Sequence, residues 1–134
     1  CQQLHRYQAT LRACFTLENF DNLIKNGRMR PIVGTLLRSL GIHIIADATA
    51  EGTIHVADKA RGVGKTYRAI TALMKASKDC TDAEVVISHC ENLEGAMALK
   101  RQILADLPVK QVDLLSCRGL TSFYAMEKGL IVGY

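Results

Sequence analysis

Apolar positions along this chain change period several times, and each change marks an element. Over residues 10–15 they alternate with polar ones, the spacing of a strand with one buried face. Phe20, Leu23 and Ile24 then fall on one side at helical spacing. Thr16 is placed to cap that helix, and Glu18 in the first turn complements its dipole. Asn26-Gly27 closes it, because glycine enters the left-handed conformation that ends helices. A short helix over residues 2–8 precedes this unit.

Pro31 suits the first position of a second apolar helix, with Ile32, Val33, Leu36, Leu37 and Leu40 as its buried stripe and Gly41 as its stop. Residues 42–48 and 53–60 read as two strands of a hairpin turning at Glu51-Gly52. Gly62 and Gly64 open a helix to about Ser77, with Tyr67, Ile70, Leu73 and Met74 inward. Residues 85–89 form a buried strand. A helix over 91–105 buries Leu93, Met97, the Lys100 stem and Leu104, and Pro108 breaks it. A strand over 111–116, a glycine-led short helix over 119–126 and a last strand over 130–134 complete the pattern. The strand–helix alternations near the end allow parallel pairing by right-handed crossovers, whereas the hairpin is antiparallel. The expected fold is α/β, a mixed sheet with helices packed mainly on one face, in a single domain covering 1–134.

Composition narrows the function. At 134 residues with 49% hydrophobic content, the chain supports one real core and is not a disordered segment. A net charge of +4, 5% aromatics and no Trp supply neither the basic stripe nor the stacking platform of a nucleic-acid binder. No apolar run is long enough for a bilayer-spanning helix, so the chain does not read as an integral membrane protein. The five cysteines show no CxxC and no metal-ligand spacing, which points to reduced thiols in a cytoplasmic protein.

Several patterns carry possible chemistry. Gly62-Val63-Gly64-Lys65-Thr66 ends like a phosphate-binding loop, but that loop needs a glycine five residues before Gly64, where Lys59 stands. A glycine-opened helix with an exposed Lys65 is the better reading. His89 and Cys90 are adjacent on a strand and so face opposite ways, which disfavours a catalytic pair. His43 and His55 lie on opposite hairpin arms and could face each other, a weak metal pattern without a carboxylate. Lys59, Arg61, Lys65 and Arg68 form one basic cluster, Arg28 and Arg30 another, and arginine suits carboxylates and phosphates. Gly119-Leu120-Thr121-Ser122 starts a helix whose free N–H groups and hydroxyls could either cap it or cradle an anion.

Taken in order, these segments resemble the DegV family of bacterial fatty-acid-binding proteins. Leu17-Glu18-Asn19 and Leu23-Ile24-Lys25-Asn26-Gly27-Arg28-Met29 are similar to its Leu-Glu…Leu-x-x-x-Gly-Arg-Ile segment. The apolar helix, the hairpin, Lys59-Ala60-Arg61-Gly62, Ser88-His89-Cys90-Glu91-Asn92 and the closing stretch from Gly119 follow in the family's order. The resemblance implies a non-catalytic carrier whose ligand is a long-chain fatty acid, with no other cofactor and no metal. Such proteins hold the acid between two domains and present its carboxylate to a separate kinase subunit. The chain resembles the C-terminal domain alone, with the N-terminal domain absent.

The resemblance also assigns residues. Gly27-Arg28 matches the family's Gly-Arg, which places Arg28 at the ligand. Leu36, Leu37 and Leu40, with Ile42 and Ile44, become candidate slot walls. Arg30, Lys59 and Arg61 become head-group or kinase-docking electrostatics. Many members close with Gly-Thr-His-x-Gly-Pro-Gly, but residues 118–124 contain neither His nor Pro, so the ligand-loop role passes to Thr121 and Ser122. That departure supports an alternative, a regulatory or protein-interaction domain of the same family that has lost lipid binding. A nucleotide binder using Gly64-Lys65-Thr66 is the third reading.

Overall fold

Alternation along the strands builds a sheet that is apolar on both faces. The computed structural model describes residues 2–29, 41–49 and 53–134. In chain order the elements are α1 (Gln2–Thr10), β1 (Ala13–Leu17), α2 (Asp21–Lys25), β2 (Ile42–Ala48), β3 (Ile54–Arg61) and α3 (Val63–Ser77). They continue with β4 (Glu84–His89), α4 (Leu93–Asp106), β5 (Gln111–Ser116), α5 (Gly119–Ala125) and β6 (Leu130–Gly133). The helix expected over residues 31–40 and the turn at Glu51-Gly52 lie outside the described residues.

The strands form one sheet in the order β3-β2-β1-β6-β4-β5. Among the described residues only the β4–β5 pair is parallel, joined through α4, and the other pairs are antiparallel. The sheet is therefore mixed, as expected. On one face Ile45, Val85, Ile87, Val112, Leu130 and Val132 pack under the two long helices, α3 and α4. On the other, Leu17, Ile44 and Ala46 meet Leu23 of α2 and Ala125 of α5. The long helices share a face, and two short ones occupy the opposite face.

A bulge where β2 pairs with β3, between Ile45 and Ala46, decides what the edge strand presents. Paired residues project to the same side. Ala46 opposes Val56, whereas beyond the bulge Ile44 opposes Lys59 and Ile42 opposes Arg61. Val56, Lys59 and Arg61 thus all lie on the α2/α5 face, and the charges and the bulge protect the edge from further strand pairing.

Helix α4 differs from the sequence expectation. Leu93, Met97 and Leu104 are about half exposed, while Ala96, Leu99 and Ile103 are fully buried. Both sets have helical spacing. The second uses a small alanine near the start of the helix, which allows close approach to the sheet, and continues into buried Leu107. Thr16 differs too. It sits within β1, and α2 starts five residues later, where the Asn19 side chain accepts the Asp21 N–H at 2.8 Å.

Helices α3 and α4 are joined by a polar clasp. Buried Thr71 donates its hydroxyl to Asp106 at 2.8 Å, and Gln102 donates to the same carboxylate at 2.7 Å. The Thr71 and Gln102 hydrogen bonds hold Asp106 below the usual carboxylate range. A depressed carboxylate stabilises the fold above its unfolded pKa and loses that contribution as pH falls through the folded value. Thr71→Val is therefore expected to lower stability most at neutral pH. Its deficit relative to wild type should shrink under acid, as read from urea midpoints measured at several pH values.

Candidate functional site

The α2/α5 face carries a cavity of about 480 Å³, within the size range of small-ligand sites. Its floor is the sheet, with Phe15 and Leu17 from β1, Ile131 from β6 and Ile54 from β3. Leu23 closes one side, and Leu120, Tyr124 and Ala125 of α5 close another. The polar lining comes from Thr53, Arg28 and the backbone at Gly27, and Arg28 is the only charged side chain among the described lining residues. Among the described residues the cavity is thus an oily slot with one cationic residue, Arg28, at its wall.

Local backbone geometry puts Arg28 there. Gly27 has φ +68°, its N–H bonds the Ile24 carbonyl at 3.0 Å, and the Arg28 N–H bonds the Leu23 carbonyl at 2.8 Å. These paired bonds are a Schellman closure, in which a glycine reverses the chain just past the helix. The Asn26-Gly27 signal in the sequence predicts this turn. Helix α2 is tied to α5 by the Asn22 side chain, which donates to the Phe123 carbonyl at 2.6 Å. At the far end of α5, Gly129 lies so close to the helix that a Cβ there would run into the Ala125 carbonyl oxygen.

The remaining expected site residues distribute unevenly. Thr121 is exposed and Ser122 half-buried, and neither lines the cavity. Leu120, itself 71% exposed, and Tyr124, four apart, are with Ala125 the α5 residues that line the cavity. Ile42 and Ile44 join the apolar cluster on the cavity face without lining the cavity itself. Lys59 and Arg61 are exposed on that same face of the sheet. Leu36, Leu37, Leu40 and Arg30 lie outside the described residues. The walls supplied by Phe15, Leu17, Ile54 and Ile131 are absent from the sequence-based site. Period-two alternation marks them as buried but does not say against what.

The other motifs resolve as structural features. Residues 62–66 follow an edge strand of antiparallel pairs, and Thr66 spends its hydroxyl on the Gly62 carbonyl at 3.0 Å. His55 pairs with Asp47 at 2.9 Å rather than facing His43, whose register partner is Ala60. His89 is buried and accepts the Asn92 N–H through Nδ1 at 3.3 Å. Burial, with the Asp47 charge adding to it, pushes the Cys14 thiol up to about 12, so it stays protonated. Among the described residues no helix is long and apolar enough to cross a membrane.

A second, more polar cavity of about 310 Å³ lies on the α3/α4 side, lined in part by Thr16, Glu18, Tyr67, Glu94 and Lys128. Glu18 and Lys128 approach to 3.6 Å. Burial, then Glu94 and Glu18, raise the Tyr67 phenol. The Thr16 hydroxyl is buried there without a hydrogen-bond partner among the described residues. An unsatisfied buried hydroxyl costs about 1–3 kcal/mol, so Thr16→Val, of similar shape, is expected to stabilise the fold by about 1 kcal/mol in urea denaturation.

Comparison with known proteins is consistent across sequence and structure. The family model described as "Uncharacterised protein, DegV family" matches residues 1–130. A DegV domain-containing protein of Streptococcus gordonii is 32% identical over 134 residues, 99% of this chain and 47% of that protein. A DegV family protein from Eubacterium eligens, loaded with heptadecanoic acid, superposes with a TM-score of 0.91 at 27% identity, over 98% of this chain and 48% of the other. The Streptococcus pneumoniae Fatty Acid Kinase (Fak) B3 protein, loaded with linoleic acid, gives a TM-score of 0.88 at 33% identity, over 99% and 47% respectively. The chain spans about half the length of the curated relatives it matches.

Proposed function

This chain belongs to the DegV family, and from that premise we propose that it is a long-chain fatty-acid-binding domain. It corresponds to the C-terminal half of its relatives, binds without catalysing, works in the cytoplasm and presents the acyl carboxylate to a partner kinase subunit. The observation that carries this reading is the 480 Å³ apolar cavity in which Arg28 is the one charged residue among the described lining residues. Each buried methylene contributes about 0.8 kcal/mol, so a long acyl tail supplies on the order of 10 kcal/mol before ordering costs. The carboxylate then needs only a cation and a few donors, and Arg28 supplies the cation.

Lys59 and Arg61, on the same sheet face at the β3 edge, suit an acidic docking surface on the kinase subunit. Thr121 and Ser122 belong to α5, the helix that walls the cavity, without lining it themselves. The alternative, a regulatory domain of the same family without lipid, requires this cavity to be filled by side chains. The open volume among the described residues favours the lipid reading.

Organic extraction of the purified protein followed by mass spectrometry tests the proposal. A stoichiometric fatty acid is expected, and a clean extract from protein that also refuses added palmitate would overturn it. Arg28→Ala should retain the fold and weaken palmitate binding about tenfold, the equivalent of about 1.4 kcal/mol. Unchanged affinity in a fluorescent displacement titration would remove Arg28 from the site.

A further inference from the structure

Cys90 and Cys117 stand just past the ends of β4 and β5, the parallel strand pair among the described residues. The β4–β5 register runs to His89 opposite Ser116, so the next step sets Cys90 beside Cys117. The ladder continues there, since the Cys117 N–H donates to the His89 carbonyl at 2.8 Å. Neighbouring strands lie about 4.7–4.9 Å apart, inside the Cα separation of about 4.4–6.8 Å that disulfides use. Strand alternation puts both side chains on one face. Val85, Ile87 and His89 point toward α3 and α4, as do Val112 and Leu114, so Cys90 and Cys117 point the other way. Both pack against the apolar cluster of the cavity face. Both thiols are free and partly exposed, unlike buried Cys14 and Cys80. Burial first, and then the Cys90 sulfur, raise the Cys117 thiol, as expected of close neighbours.

We propose that Cys90 and Cys117 form a dithiol–disulfide pair, a covalent modification site that exchanges with small-molecule disulfides of the glutathione type. The thiolate of Cys90 attacks the disulfide, forming a mixed disulfide and expelling one glutathione thiolate. Cys117 loses its proton and displaces the second glutathione. Two protein thiols are oxidised to one disulfide, the reagent is reduced to two thiols, and the two protons pass to them.

The bridge brackets α5. Cys117 lies two residues before its first turn, and Cys90 holds the segment after its last turn, accepting the Lys128 N–H at 2.9 Å and donating to the Gly129 carbonyl at 3.0 Å. Oxidation therefore pins the helix that contributes Leu120, Tyr124 and Ala125 to the cavity wall. The exchange chemistry itself is independent of what that cavity holds.

The test equilibrates the native chain with glutathione buffers of increasing oxidised fraction, blocks residual thiols and maps peptides by mass spectrometry. Wild type is expected to lose two titratable thiols and yield a cross-linked peptide pair containing Cys90 and Cys117, at a rate independent of protein concentration. Cys117→Ser should stop at a glutathione adduct on Cys90. Adducts on both cysteines of wild type without a bridge would overturn the proposal, as would a bridge formed only between chains or only in denaturant, or no reaction at either residue.

Discussion

Replacing Ile131 by tryptophan is expected to lower fatty-acid affinity about fiftyfold while leaving the protein folded. Ile131 lies on β6, between β1 and β4, and its side chain forms part of the cavity floor. Its neighbours Leu130 and Val132 face the opposite, fully packed side, where they are 1% and 0% exposed. An indole at position 131 therefore enters open space rather than the main core, which avoids the usual penalty for overpacking. Displacing three methylenes of the acyl chain at about 0.8 kcal/mol each removes about 2.4 kcal/mol, the equivalent of about fiftyfold. The chain contains no other Trp, so blue-shifted emission checks that the indole is buried in the same sample used for the palmitate titration. Wild-type affinity with a buried indole would place the tail elsewhere.

The largest stability effect is expected at Ile87. This residue is fully buried on β4, opposite Val132 of β6 on one side and Leu114 of β5 on the other. It packs under α3 and α4 with Ile70, Leu99 and Ile103. Truncation to alanine removes three methyl or methylene groups and leaves a void that a two-helix layer over a sheet cannot collapse. The expected loss is about 3–4 kcal/mol, a large part of the roughly 5–15 kcal/mol that holds a domain of this size together. Urea denaturation should show a lower midpoint with an unchanged slope. Leu115→Ala, at a residue 55% exposed on the neighbouring edge strand, should stay within about 0.5 kcal/mol of wild type.

Much of the architecture is legible from local chemistry. The closure at Gly27 follows from one dipeptide and fixes the path of Arg28 as well. The hairpin of β2 and β3 is readable from alternation, although the bulge that swings Lys59 and Arg61 to the cavity face is not. The misplaced stripe of α4 has a simple cause. Leu93, Met97 and Leu104 interleave with Ala96, Leu99 and Ile103 at the same helical period, and only the distance to the sheet selects the set with the small residue. Thr16 is equally ambiguous, since a β-branched residue with a hydroxyl suits both a cap and a strand interior.

The site divides in the same way. Arg28 is legible because it belongs to a local motif. The walls are not, because Phe15, Leu17 and Ile131 owe their role to strands brought together across more than a hundred residues. Thr121 and Ser122 have suitable chemistry in a suitable segment, but composition does not say which positions of a short helix line a cavity, and Leu120, Tyr124 and Ala125 do so here.

The most direct measurement of where the acyl tail lies is a set of intermolecular NOEs between isotope-labelled palmitate and the methyl groups of the protein. Contacts from mid-chain methylenes to Leu17, Leu23, Ile54 and Ile131 are the predicted result. Contacts instead to Ala98 and Thr66, beside the polar cavity under α3 and α4, would contradict it.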